Sequence, residues 1–313
     1  MLHPQAKFLL DLMVERQIPP THTLSPADAR AFYRERRTVT QPDPPPIAQA
    51  RELVAAGPHG PIALRLYHPQ AAAERQSAPP VLVYFHGGGW VIGDLDTHDT
   101  LCRELANAAG CAVVAVDYRM GPEHRFPAAV DDCIAATRWV HEQASELGVD
   151  ARRMALGGDS AGGNLATVVA IALRDAGDLP LRFQLLIYPA TDQRRGWPSH
   201  TTNGQGYLLT ADTMDYFHDH YIADKAMDLD WRASPLLHPD LSKLPPALVL
   251  TAGYDPLRDE ALQYSHQLTL AGNRCTHINF ERQIHGFITM GRVIDEANAA
   301  VQICAAALRR ALA

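Results

Sequence analysis

Short apolar runs alternate with longer helical patterns through most of the chain. The runs lie at 81–85, 112–116, 154–156, 183–187 and 247–250. Runs of this length without polar alternation are typical of strands buried on both faces of a sheet. Between the second and third runs, Pro127 and Gly148 bound an apolar stripe that predicts a helix over 127–146. This alternation predicts an α/β fold, with a mostly parallel sheet and helices on both faces.

Two segments depart from this rhythm. Residues 1–45 carry a helical pattern that ends in the proline-rich stretch 41–46, so we expect an N-terminal appendage. At about 190–235 a long aromatic-rich stretch replaces the alternation, and we expect an insertion with its own helix near 211–222. Its large aromatic residues are Trp197, Tyr207, Tyr216, Phe217, Tyr221 and Trp231. Packing within the insertion is the first interpretation of any one of them.

The segment before the first apolar run also has a strand pattern. Ile62, Leu64 and Leu66 alternate with smaller or polar neighbours, which is the period of a half-buried strand. We expect this strand to lie at an edge of the sheet. The predicted organisation is therefore N-terminal helices over 1–45 and one core domain over 46–313 that carries the insertion.

Composition and charge exclude several classes of protein. The chain has 313 residues, 47% hydrophobic and 20% charged, so it can bury a large core. A net charge of -7 without a Lys/Arg cluster argues against a nucleic-acid-binding surface. The five cysteines form no C-x-x-C pair, which argues against a disulfide framework and a zinc site, and we expect buried thiols.

No segment has the pattern of a targeting signal or a membrane span. Asp11 and Glu15 interrupt the apolar N-terminal residues, which suits an amphipathic helix better than a signal peptide. No apolar run approaches the roughly 18 residues that a spanning helix requires. We therefore expect a soluble, cytoplasmic protein.

A serine flanked by glycines follows the third apolar run. The sequence Gly-Asp-Ser-Ala-Gly occupies 158–162, and a helical pattern follows it. A G-x-S-x-G sequence between a strand and a helix predicts a sharp turn that exposes the serine hydroxyl as a nucleophile. The alternative is a glycine-rich turn in which Ser160 only caps the next helix.

A second glycine motif follows the first apolar run. It is His-Gly-Gly-Gly-Trp at 86–90, about seventy residues before Ser160. Backbone amides in such a loop can point at one spot and stabilise the oxyanion of an acyl-transfer intermediate. We predict that the amides of Gly88, Gly89 and Ala161 form this oxyanion hole. The alternatives are a flexible turn or a phosphate-binding loop, but the residues that a P-loop or a dinucleotide fold requires are missing.

A base and a carboxylate are needed to activate the serine, in the chain order serine, acid, histidine. Asp255 follows the run at 247–250, in the loop where a strand ends. Asp259 and Glu260 instead begin the next helix, where its dipole favours negative charge. His285 lies in a loop after a further predicted strand at about 276–280. We therefore predict a catalytic triad of Ser160, Asp255 and His285.

The other histidines give weaker signals. His86 precedes the serine within the glycine motif, and we expect its ring to brace that loop through hydrogen bonds. His218 and His220 lack the spacing of a metalloprotease site. We expect no metal ion and no cofactor.

These motifs resemble the bacterial hormone-sensitive-lipase-like (family IV) esterases, which are marked by H-G-G-G-[WF] and G-D-S-A-G-G. The likeness extends to 118–129, 232–235, 255–260 and 285–287, and runs from about residue 50 to the C-terminus. One departure is Met120-Gly121, where the family has Leu-Ala. The resemblance implies the α/β-hydrolase fold, an eight-stranded sheet, a helical cap, hydrolysis of short- to medium-chain acyl esters without a cofactor, and a homodimer in solution.

Two other classes of function share these features. The triad would equally serve an amide or carbamate hydrolase or an acyltransferase, because its geometry suits all acyl transfers. A small-molecule receptor on the same fold would keep the glycine loop and the serine. Such receptors lose the histidine, however, and His285 is present here.

Overall fold

A single eight-stranded sheet forms the centre of the computed structural model, which describes residues 1–70 and 77–313. The strands are β1 (Gln49–Gly57), β2 (Gly60–His68), β3 (Pro80–Phe85), β4 (Ala112–Asp117), β5 (Asp150–Asp159), β6 (Leu181–Ile187), β7 (Ala247–Tyr254) and β8 (Cys275–Ile284). Their spatial order is β1-β2-β4-β3-β5-β6-β7-β8. The pairs β1–β2 and β2–β4 are antiparallel and the other pairs are parallel, which confirms the mostly parallel sheet.

Helices cover both faces of the sheet, as the sequence predicts. The described helices are α1 (Pro4–Glu15), α2 (Pro26–Thr40), α3 (Asp99–Ala109), α4 (Ala128–Glu142), α5 (Ala144–Leu147), α6 (Ala161–Ala176), α7 (Pro198–Thr202), α8 (Ala211–Tyr221), α9 (Arg258–Leu270) and α10 (Asp295–Ala311). α4, α6 and α9 pack on one face, and α3 and α10 pack on the other. Along β3, Val83 faces the first group and Leu82 the second, so apolar side chains are needed on both sides.

Two expectations for the outer parts of the fold are wrong. The strand that contains Leu64 is β2, the second strand, and β1 lies outside it. β1 has little apolar alternation because most of its residues are exposed, and Ala55 is its one fully buried residue. The single helix predicted over 127–146 is broken at Gln143 into α4 and α5, although it still ends at Gly148, whose φ is 67°.

The chain departs from the strand–helix rhythm where the sequence indicates. α1 and α2 precede the sheet, and α8 coincides with the helix expected near 211–222. His22 Nδ1 lies 3.2 Å from Thr213 Oγ1, so the N-terminal segment meets the insertion at α8. The thiols of Cys102, Cys111, Cys133 and Cys304 are buried and that of Cys275 is partly exposed. Among the described residues, no helix has the length and apolar character needed to cross a membrane.

Candidate active site

A strained turn places Ser160 between β5 and α6. Its φ of 57° and ψ of -117° lie outside the regions that a side-chain-bearing residue prefers. The turn brings backbone segments very close together: a Cβ on Gly158 would lie 2.5 Å from the Phe85 carbonyl oxygen, and one on Gly162 would lie 1.9 Å from it. Only glycine fits at these two positions, which explains the spacing of the motif.

Two loops at the carboxyl ends of neighbouring strands bring Asp255 and His285 to the serine. His285 Nε2 lies 2.9 Å from Ser160 Oγ, and His285 Nδ1 lies 2.7 Å from Asp255 Oδ2. Asp255 is fully buried, and its other oxygen accepts a hydrogen bond from the Leu257 amide at 2.8 Å. The ring of Tyr188 packs against the imidazole, with 4.6 Å between ring centroids. The structure therefore brings the three residues of the predicted triad together.

The glycine loop lies beside the serine and has free amides. Gly88 and Gly89 adopt φ angles of 124° and 59°, which favour glycine. Within the described chain, no acceptor receives a hydrogen bond from either of their amides. Ala161 is the first residue of α6, and first-turn amides lack an acceptor within their helix. All three residues line the same cavity as Ser160.

A buried carboxylate fixes the glycine loop to the end of β5, directly before Ser160. Asp159 Oδ1 accepts hydrogen bonds from the Gly87 amide at 2.9 Å and from the Tyr84 hydroxyl at 2.8 Å. His98 Nε2 lies 3.2 Å from the same carboxylate oxygen. Burial acts to raise the pKa of Asp159, but the charge of His98 and the hydrogen bonds from His98 and Tyr84 outweigh it and lower that pKa, so the carboxylate stays ionised. The residue before Ser160 thus holds the start of the glycine loop.

His86 braces the loop from within it, as the sequence suggests. Its Nδ1 lies 2.8 Å from the Gly87 carbonyl oxygen, and its ring stacks on Tyr118 with 4.4 Å between centroids. Burial, followed by the nearby His98, lowers the pKa of His86 to about 4. The ring is therefore neutral at pH 7 and can donate its Nδ1 proton to the carbonyl.

Comparison with known proteins gives the family. The family model described as alpha/beta hydrolase fold matches residues 82–289. Esterase LipI of Mycobacterium tuberculosis is 42% identical, with 84% of this chain and 82% of the relative covered. Ethyl acetate hydrolase of Pseudomonas putida is 40% identical, with 95% and 93% covered. A solved ester-hydrolase from the metagenome of Lake Arreo, complexed with a derivative of bipyridine phosphonate, superposes with a TM-score of 0.95 at 43% identity over 99% of each chain.

The chain belongs to the hormone-sensitive-lipase-like esterases of the α/β-hydrolase fold. It is accordingly a carboxylic ester hydrolase. In this esterase, Ser160 and His285 of the predicted triad line the floor of a cavity of about 350 Å³.

Two segments that do not follow the alternation of strands and helices, the N-terminal residues 1–45 and the insertion at about 190–235, contribute walls of this cavity. In the esterase, α1 contributes Leu10 and Met13, and α8 contributes Met214 and Phe217. A Cβ on Gly89 would lie 2.2 Å from the Phe217 ring, so α8 packs directly on the glycine loop. Of the aromatic residues in the insertion, Tyr207 and Phe217 line the cavity.

The other large aromatic residues of the insertion pack or form hydrogen bonds. Tyr221 stacks on Trp90 with 4.6 Å between ring centroids. Trp197 Nε1 donates to Asp192 Oδ2 at 3.1 Å, and Trp231 packs edge-on against His238. Tyr216 packs against the rings of Phe217 and His220. Packing within the insertion therefore describes Tyr216, whereas Tyr221 and Trp231 pack on residues outside 190–235.

The sequence did not indicate a second buried pair near the triad. Glu260 does not simply face the dipole of α9: it is fully buried and accepts hydrogen bonds from the Thr191 and Asp192 amides at 2.6 and 3.2 Å. His200 Nε2 lies 2.7 Å from its other oxygen. Asp259 instead accepts a hydrogen bond from the Ser199 amide at 2.9 Å. In the described part of the esterase, no group of three His, Cys, Asp or Glu side chains could hold a metal ion.

Proposed function

We propose that this esterase hydrolyses short- to medium-chain acyl esters through a covalent acyl-enzyme, with Ser160 as nucleophile, His285 as base and Asp255 as the acid that orients the base. The observation that carries the proposal is the chain of contacts of 2.9 and 2.7 Å from Ser160 Oγ through the imidazole to the Asp255 carboxylate. A serine hydroxyl is a poor nucleophile unless such a base removes its proton.

The reaction follows from this geometry. Ser160 Oγ attacks the ester carbonyl carbon while Nε2 of His285 takes the hydroxyl proton, and the Asp255 carboxylate stabilises the imidazolium. The oxyanion accepts hydrogen bonds from the amides of Gly88, Gly89 and Ala161. The imidazolium then protonates the leaving alcohol, and a water molecule, deprotonated by the same imidazole, releases the acid from Ser160.

We further propose that α1 and α2, within residues 1–45, and the insertion at about 190–235 form one cap over a catalytic domain of 46–313. The cavity that these segments close holds about 350 Å³, which suits acyl chains of short to medium length. A homodimer stays a prediction from the family resemblance.

The decisive experiment combines labelling with turnover. A fluorophosphonate should label the wild-type protein but not Ser160→Ala, because only an activated serine reacts. Turnover of p-nitrophenyl butyrate should fall by about 10⁴-fold or more in the same variant. Wild-type turnover by Ser160→Ala would refute the proposal. Faster turnover of matched amides or carbamates than of esters, or transfer of the acyl group to an alcohol, would reassign the reaction.

A further inference from the structure

The cavity is lined by three carboxylates, and each already has a cationic or histidine partner. These pairs are Asp159 with His98, Asp192 with Arg194, and Glu260 with His200. Their N–O distances are 3.2, 2.8 and 2.7 Å. The anionic groups of the wall are therefore satisfied within the protein.

The arginines of the wall differ in this respect. Arg37 Nη1 donates to the Asp96 carbonyl oxygen at 2.8 Å, and Arg195 forms an ion pair with Asp215 at 3.3 Å. Arg36 lines the same cavity from α2, yet within residues 1–70 and 77–313 no hydrogen bond or ion pair engages its guanidinium. Its closest described interaction is with the Tyr33 ring, with Cζ 5.3 Å from the ring centroid.

The position of Arg36 makes its missing partner costly. The side chain is partly buried in a concave wall, and burial lowers its pKa from the usual value. A cation that is partly removed from water and has no anion beside it loses part of its hydration free energy, which the Tyr33 ring only partly replaces. A bound anion would restore it, in a cavity to which α1 and α8 also contribute apolar side chains.

Arg36 also lies on the side of the cavity that adjoins the glycine loop. The Tyr33 ring, over which the guanidinium lies, has its centroid 6.4 Å from that of His98. His98 bonds to Asp159, which precedes the nucleophile. A ligand that contacts Arg36 therefore shares the cavity with Ser160 and the glycine loop.

We propose that Arg36 binds a carboxylate of the substrate, so that the esterase prefers esters that carry a free carboxylate at the far end of the acyl or alcohol chain. This proposal rests on the ester hydrolysis proposed above. A charge-assisted hydrogen bond to guanidinium is stronger than a neutral one, and it fixes the orientation of the ligand as well as its affinity.

The test compares esters that differ in one charge. Monoethyl adipate and ethyl adipamate have a carboxylate and a carboxamide of similar shape on the acyl side. The pair 4-acetoxybutanoate and 4-acetoxybutanamide places the same difference on the alcohol side. At pH 7.5 the wild-type kcat/KM should be about 10- to 100-fold higher for the carboxylate member of at least one pair.

Substitution of Arg36 tests whether this residue causes the preference for the carboxylate ester. Arg36→Gln should abolish it by lowering kcat/KM for the carboxylate member about 10- to 100-fold, and Arg36→Lys should restore part of it. Arg16→Gln is the matched control, since it removes a cation from the exposed C-terminal end of α1, outside the cavity. The proposal is overturned if the wild type shows no preference in either pair, or if Arg36→Gln slows both members of a pair equally.

Binding measurements separate this proposal from the proposed hydrolysis. Titration calorimetry of the substrates into Ser160→Ala, with and without Arg36→Gln, measures affinity without turnover. Tighter binding of the carboxylate member that disappears with Arg36→Gln supports the anion site even if the wild type hydrolyses none of these esters. Equal affinities for carboxylate and carboxamide in Ser160→Ala contradict it even if hydrolysis proceeds as proposed.

Discussion

The floor of the cavity and its cap are held in place by different kinds of contact. The floor depends on buried groups: Asp159 bonds the glycine loop, and glycine contacts at Gly158 and Gly162 leave no space for a side chain. In the proposed cap, α2 is attached by ion pairs that each have one exposed partner, Arg30 with Glu123 and Arg34 with Asp94. α8, by contrast, packs through the buried rings of Phe217 and Tyr221. Buried hydrogen bonds resist solvent and salt, whereas surface ion pairs contribute little and are screened.

Because of this difference in contacts, we expect the floor to determine turnover and the cap to determine which substrates bind. The proposed reacting groups are positioned by backbone geometry that tolerates almost no change, while α2, which forms part of the cavity wall, is attached partly by contacts of modest free energy. Substitutions in the floor should therefore abolish turnover or folding, and substitutions in the cap should mainly change affinity. The following experiments test that division from the largest expected effect to the smallest.

Asp255→Asn should lower kcat by about 10³- to 10⁴-fold with little effect on stability, because a neutral amide neither holds the imidazole in the required tautomer nor stabilises the imidazolium. Asp259→Asn is the matched control, since Asp259 bonds the Ser199 amide and not His285. Steady-state hydrolysis of a p-nitrophenyl ester measures both. A larger loss in Asp259→Asn would reassign the acid.

Gly162→Ala should destabilise the fold by about 3 kcal/mol or more, because the new Cβ would overlap the Phe85 carbonyl oxygen, on a neighbouring strand, at 1.9 Å. Gly177→Ala is the control at the other end of α6: its φ of 66° is strained for alanine, but nothing lies within 4 Å. That variant should lose about 1 kcal/mol. Urea unfolding gives both values, and similar losses would show that close approach is not what requires Gly162.

His86 should make the floor sensitive to acid. Its pKa in the folded state, about 4, lies below the usual 6.5, so the unfolded chain binds a proton that the folded chain does not. Stability due to this residue is complete above pH 6.5 and is lost as the pH falls toward 4. The free energy of unfolding should drop by about 2 kcal/mol more in the wild type than in His86→Asn between pH 7.5 and pH 5. Equal slopes in the two proteins would contradict this.

Arg30→Gln should have the smallest effect, because the carboxylate that it pairs with, Glu123, is exposed. The guanidinium bonds Glu123 at 2.7 Å and the Val91 carbonyl oxygen at 2.8 Å, which attaches α2 to the core. We expect at most about 1 kcal/mol of lost stability and a several-fold higher KM with kcat preserved. Lys7→Gln breaks a surface pair within α1 and should change neither. A large fall in kcat for Arg30→Gln would show that the cap also positions the reacting groups.

Local sequence pattern predicts the floor far better than the outermost strand or the contacts between segments that are distant in the sequence. The strand at 81–85 and the serine turn follow from runs of apolar residues and glycines that are adjacent in the chain, and the loops with Asp255 and His285 follow from strand ends. β1 escaped prediction because an exposed outer strand needs little apolar alternation. Arg36 and Glu260 also gave no signal, because their surroundings are assembled from segments distant in sequence.

At Ser160, the residue that the proposed hydrolysis requires also lowers the stability of the fold, because its backbone is strained. A φ of 57° with a ψ of -117° is tolerated by glycine and costs other residues about 1–3 kcal/mol. Replacing the nucleophile with glycine would therefore release strain while ending hydrolysis. A related protein that no longer had to cleave esters would therefore gain stability by replacing the proposed nucleophile with glycine. Selection for turnover alone maintains a serine at this position.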